Sequence, residues 1–264
     1  MKFTNLDLNL SFCNYHVWII LALHDVKQRY RRSILGPIWF TLSIGIMVTV
    51  LGTIYSVILG REASEYFPYL ASGLILWEFI SSAVSEGSNS LINASHLIKQ
   101  IKTPIPVHIL RVVFRNFIIF LHALPFYYLI YFIFIGIPFV DLLFVLLGLV
   151  LLLINVLWLT VFLSILCARF RDIPPIISIM LKIIFFGTPI LWYQNDLISF
   201  NGYNIDWIFL FNPFYHLIEI VRSPMIGHSV SNISYFIVTA CCFFGYIINI
   251  FFLNKYAKRI PYWV

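Results

Sequence analysis

Residues 142–167 read LLFVLLGLVLLLINVLWLTVFLSILC, a run without one charged side chain. A helix crossing the hydrocarbon core of a bilayer takes roughly 20 mainly apolar residues, because each backbone N–H and C=O must find its partner inside the segment. This run meets that length. Working outward from it, the chain stays apolar: 264 residues, 61% hydrophobic and 11% charged, with a mean hydropathy of +0.93. Such a composition cannot keep a soluble surface wet. The expected fold class is an all-α integral membrane protein with six transmembrane helices, a single domain over residues 1–264, and no room for a second soluble one.

The spans are placed at residues 35–59, 66–92, 109–135, 142–167, 174–193 and 233–253. Pro174 and Pro175 suit the first turn of the fifth, where a missing N–H costs nothing. Residues 12–34 carry an apolar run too short to cross, followed by Lys27, Arg29, Arg31 and Arg32, and are expected to form an interfacial helix. Residues 93–108 form a cytoplasmic segment broken at Thr103, Pro104, Ile105 and Pro106. Residues 194–232 are apolar only in short pieces, which predicts short re-entrant or surface-lying helices on the outer side.

Orientation follows from the 17 Lys and Arg. In this arrangement only Arg61 and Arg222 fall outside, and Lys182 lies within the fifth span. The rest collect on one side, so both termini are expected in the cytoplasm. The formal charge of +6 is accounted for by those flanks, and no nucleic-acid partner is expected. Cys13, Cys167, Cys241 and Cys242 show neither C-x-x-C spacing nor His partners, so neither a redox motif nor a metal site is indicated.

Polar residues inside a span are costly and point to function. On the second span Glu78, Ser82, Ser85 and Asn89 are spaced by 4, 3 and 4, which sets them on one helix face, with Glu86 beside it. That stripe should face the bundle interior or a water-filled path; the plainer reading is a polar seam that only holds helices together. Glu86 and Lys182 stand at similar depth in their spans, which predicts an ion pair between them. Aromatic residues make up 18% of the chain and are not confined to the two interfaces. Most must pack or face lipid; Trp39, Tyr55, Trp77, Trp192 and Tyr193 are candidates to line a path for sugars, whose C–H faces stack on rings.

The stretch RYRRSILGPIWF at residues 29–40 resembles the first-span approach of ABC-2 type polysaccharide export permeases. Three further stretches agree in order and side: Arg169, Phe170, Arg171 and Asp172; Thr188, Pro189, Ile190, Leu191 and Trp192; and Asn212, Pro213, Phe214 and Tyr215. Within that family the chain looks most like O-antigen permeases of the bacterial inner membrane, with capsule and teichoic acid permeases as near relatives. The resemblance implies a homodimer working with two copies of a separate ATPase, which binds ATP and Mg, to move a lipid-linked polysaccharide from cytoplasm to periplasm. It also implies that Lys99, Ile101, Lys102, Pro104 and Pro106 dock the ATPase. Arg29, Arg31 and Arg32 would stand at the cytoplasmic entrance. Asn212, Pro213, Phe214 and Tyr215 would belong to a periplasmic gate.

Independently of that likeness, no G-x-x-x-x-G-K-[ST] occurs, so the chain has no phosphate cradle and is not expected to be an enzyme or to hold a cofactor itself. Beyond membrane lipid, its partners would be the ATPase, a second copy of the chain and the glycan. An ion-coupled secondary transporter using Glu78, Glu86 and Lys182 is the first alternative, but no internal repeat is visible. A membrane transferase is the second; Asp172, Asp196 and Asp206 stand apart without a constellation.

Overall fold

A computed structural model describes residues 15–31, 33, 36, 38–100, 103–136, 141–194 and 209–264. Every regular element among the described residues is a helix: α1 (Tyr15–Arg29), α2 (Ile38–Leu59), α3 (Ala63–Ser88), α4 (Ser90–Asn93), α5 (Ser95–Gln100), α6 (Ile105–Phe134), α7 (Leu142–Arg169), α8 (Ile173–Gly187), α9 (Pro213–Ile226), α10 (Asn232–Tyr256) and α11 (Ile260–Trp263). Five of them, α2, α3, α6, α7 and α10, are long and apolar enough to cross a membrane. The sixth expected span is shorter. α8 has 15 residues and reaches about 22 Å, less than the roughly 30 Å of a hydrocarbon core.

The boundaries follow local chemistry. α8 stops at Gly187, not at residue 193, because Pro189 brings no N–H and holds Thr188 extended, at φ −107° and ψ 135°. α6 begins at Ile105, four residues before the expected start at 109; Pro106 sits in its first turn, where its lost donor is unneeded. α3 runs from Ala63 to Ser88, and the chain turns at Asn89 into the short α4 and α5.

The bundle is built around α3, which touches α2, α6, α7, α8 and α9. Tyr66, Leu70, Ile75, Leu76, Phe79 and Ile80 of α3 are fully enclosed. A second apolar cluster joins Leu91 and Ile105, on either side of α5, to Ile165, Leu253, Ala257, Ile260 and Val264. It closes the end of the bundle that carries Arg29, Arg111, Arg169 and Lys255, called here the basic end. α1 docks on α6 by burying Ala22 and Val26, with Trp18 edge-on to Phe114 at 5.2 Å.

Candidate functional site

A cleft of about 470 Å3 opens between α2, α3 and α8. Its α3 wall presents Trp77, Glu78, Ser81, Ser82, Ser85 and Glu86, its α8 wall Ser178 and Lys182, and Met47 closes it from α2. The structure thus brings together four of the expected path-lining residues, Trp77, Glu78, Ser82 and Ser85, with both members of the expected ion pair. The others fall elsewhere. Asn89 borders a separate cavity, Tyr55 packs partly buried on the core, and Trp39 is exposed at the start of α2. Trp192 and Tyr193 lie in the non-helical stretch after α8, where Trp192 packs on Phe209. Tyr69 stacks on the ring of Tyr193 at 4.0 Å and the Arg61 guanidinium lies 4.9 Å over it, so that ring is engaged within the chain.

At the basic end a cavity of about 520 Å3 lies between α1, α3 to α5 and α6, lined by polar groups including Asp25, Asn89, Asn93, His108 and Arg111. Its wall is a charge network. Arg111 grips Asp25 through two nitrogens, Arg115 reaches Asp25 at 3.6 Å and Glu86 at 2.6 Å, and Arg29 reaches Glu86 at 3.2 Å. Asn116 donates to the same Glu86 carboxylate at 2.9 Å. The expected Glu86–Lys182 pair therefore does not form, although both residues border the cleft. The reason is geometric: α6 runs antiparallel beside α3, and its third turn sets Arg115 against Glu86. Exchanging Lys182 for Met should accordingly leave the melting temperature in detergent within about 2 °C. Arg115→Met removes the one side chain that bridges both carboxylates, leaving Asp25 to Arg111 and Glu86 to Arg29 and Asn116, and should lower it by about 5 °C, roughly 2 kcal/mol for a partly screened network.

Of the expected docking residues, Lys99 is exposed on α5, Pro104 precedes α6 and Pro106 lies in its first turn, whereas Ile101 and Lys102 lie outside the described residues. Arg29 belongs to the network above, Arg31 is exposed beside Lys27 and His24 on α1, and Arg32 lies outside the described residues.

At the opposite end, Asn212 caps α9: its side-chain oxygen accepts from the N–H groups of Phe214 and Tyr215, and its amide donates to Thr188 at 2.9 Å. Pro213 fills the first helical position. Phe214 meets Trp77 edge-on at 6.0 Å, and the Tyr215 hydroxyl reaches Gln194 at 3.0 Å. Asn212 and Tyr215 thus tie α9 to the stretch after α8, while Phe214 faces α3.

Sequence reasoning missed the residues that hold this stretch. Tyr66 donates to Leu191 O at 2.5 Å, and the Tyr69 hydroxyl lies 2.8 Å from Pro189 O and 3.0 Å from Trp192 O. Arg222, expected in an outer segment, is buried at 3% exposure on α9. It donates to Pro189 O at 2.7 Å and pairs with Glu219 at 2.7 Å. Non-helical carbonyls inside an apolar bundle need such donors. Only the pairing of an acid with an arginine three residues on, Glu219 and Arg222, could have flagged them.

Comparison with known proteins agrees with this architecture. Residues 16–226 match the model of the ABC-2 type transporter family. The chain is 24% identical over 261 residues to the O-antigen export system permease protein RfbA of Klebsiella pneumoniae, covering 95% of this chain and 94% of that one. It is 26% identical over 174 residues to a protein of the same name from Myxococcus xanthus, 66% of this chain and 67% of that one. With five bilayer-length apolar helices among its described residues, and matched to one family over most of its length, the chain belongs to the ABC-2 type transporters.

Proposed function

We propose that the chain is the membrane permease of an ABC exporter that moves a lipid-linked polysaccharide of the O-antigen kind from cytoplasm to periplasm. Two copies would work with two copies of a nucleotide-binding ATPase, which holds ATP and Mg. In this reading α8 with the stretch to residue 193 completes a sixth crossing, both termini and the basic end lie in the cytoplasm, and α1 lies in the interface. Residues 93–108 meet the ATPase, and residues 194–232 form the re-entrant segment at the periplasmic end.

The observation that carries this reading is the cleft between α2, α3 and α8. It sets Glu78, Ser81 and Ser82 of the bilayer-length α3 against Ser178 and Lys182 of the shorter apolar α8. An ionisable group facing lipid costs several kcal/mol, so the cleft calls for cover, and a second copy laid against it would enclose a polar path. Trp77, Phe185 and Phe186 on its walls give such a path ring surfaces that sugars slide along. A polysaccharide far longer than the bilayer is thick is best served by threading through a path of that kind. The names of the relatives, O-antigen export permeases, support the same substrate.

Co-expression with a nucleotide-binding ATPase subunit of the kind proposed and reconstitution into liposomes test the proposal. Movement of lipid-linked polysaccharide should require ATP and persist when the proton gradient is collapsed. Movement that follows the proton gradient and ignores ATP would instead favour an ion-coupled transporter built on Glu78 and Lys182.

A further inference from the structure

The buried arginine on α9 has no place in the reading above, and its surroundings are unusual. Two groups occupy the ring of Tyr69: the Arg222 guanidinium, 4.1 Å from its centroid, and the Tyr193 ring, 4.0 Å from it. At those distances they cannot share a face, so Tyr69 is sandwiched. With Arg61 over Tyr193 at 4.9 Å, the result is a column Arg61–Tyr193–Tyr69–Arg222 running from the exposed turn before α3 to the buried side of α9. Four separate pieces of chain contribute one member each. The Pro189 carbonyl accepts from both inner members, Tyr69 and Arg222.

A buried ion pair usually fixes a fold at a net cost in desolvation, and breaking it leaves a bare charge. Here the pair lies within one helix. Glu219 and Arg222 are three residues apart on α9, and Ser223 donates to the same carboxylate. If residues 188–193 moved away while α9 stayed seated in the core, Arg222 would keep its counter-ion and the Tyr69 face, and the Pro189 carbonyl would give up only its hydrogen bonds from Arg222 and Tyr69. The joint can therefore part without stranding a charge. It also lies where parting would matter, because Phe214 in the first turn of α9 touches Trp77 of the cleft wall.

We propose that Tyr69, Arg222 and the Pro189 carbonyl form a detachable clasp that holds α9 against the stretch after α8 and closes the resting path at that end. Arg222 is then a positioning residue of the export cycle. The proposal rests on the export reading given above. It concerns the join between α9 and residues 188–193.

The test uses the chain assembled with its ATPase in liposomes loaded with sucrose, without nucleotide. Arg222→Lys keeps a cation beside Glu219 but loses the planar fork that serves Glu219 and Pro189 together. Tyr69→Phe removes the hydroxyl and keeps the ring. Sucrose efflux should rise about fivefold for Arg222→Lys and about threefold for Tyr69→Phe, with ATPase rates within about twofold of the parent. The double variant should leak no more than about sevenfold, because both changes act on one joint. Efflux equal to the parent in both variants overturns the clasp. Failure of both variants to assemble overturns it equally, since a joint that opens in the cycle must be dispensable for folding. A parent complex without ATP-driven export defeats the export reading on its own, whatever the leak comparison gives.

Discussion

Replacing Gly148 by leucine is expected to abolish accumulation of the folded chain. Gly148 lies on the buried face of α7, and a Cβ built there would run into the backbone carbonyl of Ile220 on α9, closer than real Cβ contacts come. A colliding side chain could rotate aside, but a helix backbone can yield only by moving the whole helix. α9 buries Leu217, Ile218, Ile220, Val221 and Met225 in the same core, and Tyr127 on α6 donates to Met225 O at 2.8 Å. Lifting α9 would lose those contacts together, on the order of 4 kcal/mol or more. Alanine, with the Cβ alone, should already lower the melting temperature by about 5 °C. Fluorescence-detected size exclusion in mild detergent reads both outcomes. A monodisperse leucine variant melting like the parent would show that α7 and α9 do not approach as described.

Loss of Asp25 should have the next largest effect. This carboxylate, 11% exposed, is gripped by Arg111 and approached by Arg115, and it is the acidic anchor of α1 on α6. Asp25→Ala leaves Arg111 without its counter-ion in a setting where that guanidinium is only 24% exposed, a penalty of about 3 kcal/mol. The network also links α1 to Glu86, two residues from the end of α3, where the chain turns toward α4 and α5. Under the proposed function, the variant is therefore expected to insert and bind the partner ATPase yet lose at least tenfold in ATP-driven export. Trypsin should then cut faster after Arg29 and Arg31, as α1 detaches. Parent-like export with unchanged cleavage would show that α1 needs no charge anchor.

Much of this architecture is legible in the residues. The uncharged run at 142–167 appears as α7, and the spacing of Glu78, Ser82 and Ser85 sets them on one wall of the cleft. What could not be read is pairing across helices. Depth along a span put Lys182 level with Glu86, but depth is one coordinate, and the neighbour that reaches Glu86 is decided by how α3 and α6 lie side by side. Arg222 falls in the stretch expected as short outer helices, and that placement says nothing of its burial. Only the fold brings Pro189 and Tyr69 to it. The end of the fifth apolar run was overestimated because residues 188–193 remain apolar after the backbone has left the helix at Thr188.

Under the proposed function, the cleft between α2, α3 and α8 faces water along a path and not lipid. In a cysteine-free version of the chain, assembled with its ATPase, single cysteines at Ser82 and at Val57 can be tested with a small charged methanethiosulfonate reagent. Ser82 borders the cleft, and Val57 is 78% exposed on α2. Rapid modification of the cysteine at Ser82 with none at Val57 is the predicted result. Protection of the cysteine at Ser82 from the charged reagent, with ready modification by a lipid-soluble maleimide, would instead place the cleft against lipid and rule out a water-filled path there.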